Sequence, residues 1–149
     1  MQPKTAAAGA QAEAPSEPVL RRLRVSMIQR ATLTVSGHEE PVFTMDVGLS
    51  GVFVEREAPL PVGEQVGLRF PLPGNAIPVS ARCRVAWRHA PGTPLVSKSL
   101  PAGLGLEFVA ISELDGTRLR ELLLDHWRRD PRARQFARQW PEDAEDYGP

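Results

Sequence analysis

Three arginines, Arg21, Arg22 and Arg24, precede a short segment, Asp46-Val47-Gly48-Leu49-Ser50-Gly51, that parts two apolar runs of strand character. A guanidinium fork matches the oxygens of a phosphate and the O6/N7 edge of guanine, and its plane stacks on a base. A carboxylate accepts from ring and exocyclic N–H donors of the kind guanine carries. A glycine at a strand turn lets backbone come close. Arginines at the entrance of a small barrel, facing an acid and a bare corner, are therefore expected to make a pocket suited to a guanine nucleotide.

The rest of the sequence limits the alternatives. At 149 residues there is room for one domain of ordinary size with a real core. The 18 basic residues balance 18 acidic ones, so no global field draws the chain to nucleic acid or anionic lipid, and anion binding must come from a local cluster. The single cysteine, Cys83, forms no internal disulfide and no structural zinc site alone, which favours a reducing, cytoplasmic setting. No apolar stretch approaches the roughly 20 residues that cross a bilayer, and the N-terminus lacks the apolar centre of an export signal. There is no Ser/His/Asp arrangement, no His-Glu-x-x-His and no phosphate-loop lysine. Gly103-Leu104-Gly105 lacks the third glycine and following helix of a dinucleotide fingerprint, and His38, His89 and His126 have no metal spacing. The expectation is a module that is not an enzyme and carries no metal or cofactor.

The elements that must position the arginines and the acid are mostly strands. Residues 1–18, rich in Ala, Gln, Glu, Pro and Ser, read as a disordered lead-in. Residues 19–129 read as a barrel plus a helix, and 130–149 as a short helix and acidic tail. Strands are expected from Val25 to Val35, Val42 to Met45, Val52 to Glu55, Gln65 to Phe70, Ile77 to Arg88 and Gly103 to Val109. In the fifth, Ile77, Val79, Ala81, Cys83, Val85 and Trp87 alternate with Ser80, Arg82, Arg84 and Arg88, which predicts one inward and one outward face. Ser112-Glu113-Leu114-Asp115 is a helix start, and Leu119, Leu122, Leu123, His126 and Trp127 share one side until Pro131. Six short strands and a covering helix predict a mainly β fold, a small closed antiparallel barrel with a C-terminal helix.

The order of these features, an arginine cluster, a strand, an Asp-x-x-x-x-Gly turn, Val52-Phe53-Val54, a long alternating strand, then Gly103-Leu104-Gly105-Leu106-Glu107-Phe108 and a helix, resembles the PilZ domain. PilZ domains are bacterial six-stranded barrels that serve as receptors for cyclic di-GMP. The resemblance spans roughly residues 20–125. It implies a regulatory ligand, cyclic di-GMP, held between Arg21, Arg22, Arg24 and Asp46, Gly48, Gly51. It also implies that binding folds the lead-in onto the barrel and presents a surface to a protein partner.

Two positions depart from the family pattern, which has Arg-x-x-x-Arg in the lead-in and Asp/Asn-x-Ser-x-x-Gly at the turn. Val25 stands four residues after Arg21, and Gly48 replaces the serine, leaving a backbone N–H in place of a hydroxyl. One lost hydroxyl donor is worth on the order of 1 kcal/mol, and one misplaced arginine roughly 1.5–3 kcal/mol. The alternative is an adaptor that has lost the nucleotide and acts through protein contacts, with Phe136 and Trp140 as candidate docking residues. A barrel for single-stranded nucleic acid would need outward aromatics and a basic groove, whereas the strand aromatics are expected to face inward.

Overall fold

The structure, a computed structural model, describes residues 14–90 and 101–133. Six antiparallel strands, β1 (Val25–Val35), β2 (His38–Val47), β3 (Gly51–Glu55), β4 (Gln65–Leu72), β5 (Asn75–His89) and β6 (Gly103–Ile111), close a barrel in the order β1-β2-β3-β6-β5-β4. A helix precedes them, α1 (Glu17–Arg22), and another follows, α2 (Glu113–Arg129). The β1–β2 hairpin turns tightly at Ser36 and Gly37, whose φ of 51° and 80° give the left-handed pair that matches strand twist. Pairing of Thr32, Leu33 and Thr34 with Arg69, Leu68 and Gly67 shuts the ring. The predicted fold is therefore the observed one.

Leu33, Val54, Phe70, Val79, Cys83, Val85 and Leu104 fill the interior. Burial pushes the Cys83 thiol up to about 12, so it is a neutral packing residue. At β3 and β6 the backbones come unusually close. A methyl group at Gly51 would lie 1.9 Å from the Leu106 carbonyl oxygen, and one at Gly103 would lie 2.2 Å from that of Val54. Gly51 thus serves barrel closure, since the backbone of β6 comes close to it.

Ser112 caps α2 by accepting from the Asp115 N–H at 3.0 Å, and Asp130 closes the helix just before Pro131, as the sequence predicts. Leu119 enters the barrel core, while Leu123 and Trp127 form a second core with Leu20 and Leu23 of the lead-in and with Ala133. Phe136 and Trp140 lie outside the described residues, as does most of the loop from Ala90 to Ala102. Among the described residues no helix is long and apolar enough to cross a membrane.

The alternation predicted for β5 holds from Val79 to Val85 and fails at both ends. Ile77 is 69% exposed. At the other end Val85 pairs with Leu106 but Trp87 pairs with Gly105, so Ala86 is an extra residue, a bulge that turns Trp87 to the outer face. Phe53, flanked by the core residues Val52 and Val54, also points outward, and Phe43 is 48% exposed. The expectation of inward strand aromatics is corrected at these three positions.

Gly51→Ala should lower stability by about 3 kcal/mol through overpacking against a backbone that cannot step aside. Gly116→Ala, in α2 with open space around it, should raise stability by about 1 kcal/mol through helix propensity. Urea midpoints of the two variants against the parent chain measure both.

Candidate functional site

The outward position of Asp46 depends on a second bulge. Thr44 pairs with Val54 but Asp46 pairs with Phe53, so Met45 is the extra residue on β2. Without it Asp46 would share the inner face with Thr44. The bulge is pinned by the Thr44 hydroxyl, fully buried, which donates to the Met27 carbonyl at 2.6 Å and accepts from the Gln29 N–H at 3.0 Å where β1 is irregular. Sequence reasoning passed over Thr44, because its role exists only once the two strands are paired.

The two bulges put four residues in one row across the outer face: Asp46 opposite Phe53, Phe53 opposite Gly105, and Gly105 opposite Trp87. The Trp87 ring lies over Gly105, where a methyl group would meet Nε1 at 2.0 Å, and it stacks on Phe53 with centroids 5.1 Å apart and planes 22° from parallel. Trp87 is half-buried, so one part of the indole faces solvent. Trp87, which the sequence reading placed inside, stands on the outer face beside Asp46 as a further candidate site residue, and Phe53, only 1% exposed, supports its ring.

Arg24 comes to the end of this row from the lead-in. Its Nε and one terminal nitrogen donate to Oδ1 of Asp46 at 3.0 and 2.5 Å, with both side chains about a third exposed. Arg21 is exposed on α1 and Arg22 is half-buried there. Gly48 differs from expectation. It is buried, its N–H donates to the Gly51 carbonyl at 2.9 Å, and a methyl group on it would meet the Leu23 carbonyl oxygen at 3.0 Å and Arg24 at 3.1 Å. The amide expected to face a ligand closes the turn instead, and the space beside Gly48 holds Arg24. Ser50 is exposed.

The lead-in is anchored on α2 by its own packing and one ion pair. Ser16 caps α1 by accepting from the Val19 N–H, Pro18 stands in the first turn, and Leu20 and Leu23 pack on Leu123 and Trp127 of α2. Arg120 of α2 clamps Glu17 with bonds of 3.1 and 2.5 Å, and that hydrogen bonding holds the Glu17 carboxyl below its ordinary value. The helix starts at Glu17, within the segment expected to be a disordered lead-in.

Farther along the barrel, a cavity of about 200 Å³ is lined by Arg56, Arg88, His89 and Gly103 among others. Arg56 is committed to Glu40 through bonds of 2.8 and 3.1 Å, which hold the Glu40 carboxyl below its ordinary value. His89 Nδ1 donates to the Pro101 carbonyl at 3.1 Å, while Nε2 is enclosed and faces no solvent. Among the described residues no group of three or more His, Cys, Asp and Glu side chains could hold a metal ion.

Residues 20–125 match the model of the PilZ domain, and the chain belongs to the PilZ domain family. The Bacillus subtilis inhibitor of motility MotI/DgrA is similar in structure, with a TM-score of 0.62, 16% identity and coverage of 73% of this chain and 51% of that one. This chain thus spans about half the length of MotI/DgrA. Lower similarity is found to Borreliella burgdorferi PlzA in complex with c-di-GMP (TM-score 0.43, 14% identity, 76% of this chain and 38% of that one). The PilZ domain of CeSA from a cellulose-synthesizing bacterium is comparable (TM-score 0.44, 15% identity, 70% and 97%). No curated protein matches the chain.

Thr44→Val removes the hydroxyl that joins the Met27 carbonyl to the Gln29 N–H while keeping shape. It should cost about 2 kcal/mol by leaving two buried backbone groups unpaired. Chemical denaturation measures the loss, and an unchanged midpoint would show that the bulge holds without it.

Proposed function

We propose that this PilZ-family chain is a regulatory module that binds cyclic di-GMP on its outer barrel face and relays occupancy to a protein partner. The observation that carries the reading is the row of Asp46, Phe53 and Trp87, with Arg24 delivered to its end. Cyclic di-GMP presents two phosphates and two guanines. The half-exposed indole offers a flat apolar surface for a base, a contact worth roughly 1–3 kcal/mol in single-strand recognition. Asp46 would accept from guanine N–H groups, and Arg24, joined by Arg21 and Arg22 from α1, would meet phosphate. Gly48 and Gly51 shape the corner and leave the contacts to these side chains.

A second reading rests on Gly48. Where the family pattern has a serine, this chain has a glycine whose free side is filled by its own Leu23 and Arg24. A site so closed fits an adaptor that works through protein contacts without nucleotide, presenting an already docked lead-in.

Titration calorimetry with cyclic di-GMP separates the two. The receptor reading expects saturable binding, weakened about tenfold by Trp87→Ala and more than tenfold by Asp46→Ala. Absence of heat at tens of micromolar, with partner capture indifferent to nucleotide, would leave the adaptor.

A further inference from the structure

Gly103-Leu104-Gly105 is no dinucleotide fingerprint, yet its two glycines lie on the outer face under the aromatic pair. A methyl group at Gly105 would meet three atoms of the Trp87 indole between 2.0 and 2.5 Å, and no backbone of another strand lies nearer. At Gly103 it would meet the Phe53 ring at 2.7 Å. Each glycine is a bare patch of strand under one ring, and this closeness is what lets the two rings stack over β6.

The side-chain acceptors that flank the indole on β5 and β6 are committed elsewhere. Glu107, two residues along β6 from Gly105, pairs with Arg84. His89, two residues along β5 from Trp87, bonds the Pro101 carbonyl through Nδ1, and its Nε2 is enclosed. Glu55 stands on β3, with the whole of β6 between it and the strand of Trp87. Asp46 lies at the far end of the row, on β2. We propose that Gly105 is a positioning residue that holds the indole as a platform for a purine of either kind, so that guanine is read at Asp46 alone. This rests on the receptor reading of the same row and widens its ligand class to cyclic purine dinucleotides with at least one guanine. Stacking uses the π-face that every base has, whereas the carboxylate selects the adjacent N1–H and N2–H donors that guanine has and adenine lacks.

Calorimetry on the full chain with cyclic di-GMP, the mixed cyclic guanine–adenine dinucleotide and cyclic di-AMP tests this. The mixed ligand should bind within about threefold of cyclic di-GMP, and cyclic di-AMP at least about tenfold more weakly. Gly105→Ala should weaken the first two by one common factor of about tenfold, leaving their ratio unchanged. In the protein alone, the same substitution should shift the Trp87 indole N–H resonance while the amides of Val79 and Cys83 stay in place, because the added methyl displaces a ring and not a strand. A parent chain that binds cyclic di-GMP but discriminates against the mixed ligand by tenfold or more would overturn the inference and leave the receptor reading standing. An indole resonance unmoved by Gly105→Ala, or a changed ratio between the two ligands, would overturn it as well. A parent that binds none of the three removes the receptor reading itself, and base tolerance falls with it.

Discussion

A closed barrel assigns every strand residue to an inner or an outer face, and in this chain two single-residue bulges decide which face the chemistry takes. Met45 on β2 turns Asp46 outward, and Ala86 on β5 turns Trp87 outward. Each adds one residue to one strand, reversing the alternation beyond it and bringing carboxylate and indole onto one row. Between them β6 contributes Gly105, flat enough for the indole to lie across it toward Phe53. The row is thus a product of the barrel's register. The same closure explains Gly51 and Gly103, where β3 and β6 approach so closely that a methyl group would meet a carbonyl oxygen.

The lead-in brings Arg24 to Asp46 in the candidate site and packs on the C-terminal helix. A partly exposed arginine–aspartate pair contributes only about 1 kcal/mol, so it cannot hold α1 by itself. Two leucines buried to within a few per cent, at roughly 1.5–3 kcal/mol each, can. The anchoring energy therefore lies in the Leu20, Leu23, Leu123 and Trp127 core, and the ion pair sets where the guanidinium rests. The hydrophobic anchor and the Arg24–Asp46 pair are therefore separate contacts. α2 bridges them by sending Leu119 into the barrel and Leu123 and Trp127 to the lead-in.

The sequence made much of this visible. Alternation in β5 from Val79 to Val85, the Ser112 cap and the Leu119–Trp127 face all follow from local periodicity, and so does the six-strand count. The bulges were hidden because an extra residue is defined only against the partner strand. Trp87 was accordingly placed with Val85, and the Thr44 hydroxyl went unnoticed. Helix α1 did carry a local signal in Ser16-Glu17-Pro18, a cap followed by proline in the first turn, but its shortness and polar surroundings read as tail. Gly51 allows the close backbone approach that the sequence suggests, and the structure shows Leu106 of β6 as one neighbour that uses it. The arginine motif could not say which guanidinium reaches Asp46, since that depends on where α1 ends.

On the proposed reading Asp46, Trp87 and Arg24 make one ligand-facing surface on the barrel's outside, with the buried Phe53 ring stacked against the indole as its support. Titrating cyclic di-GMP into the isotope-labelled protein while following indole and backbone N–H resonances tests it most directly. The account predicts that the Trp87 indole and the amides of residues 24, 46, 53 and 105 shift together and saturate at one concentration, while interior amides such as those of Val79 and Cys83 stay still. Resonances that do not move, or that move only on another face of the barrel, would contradict it.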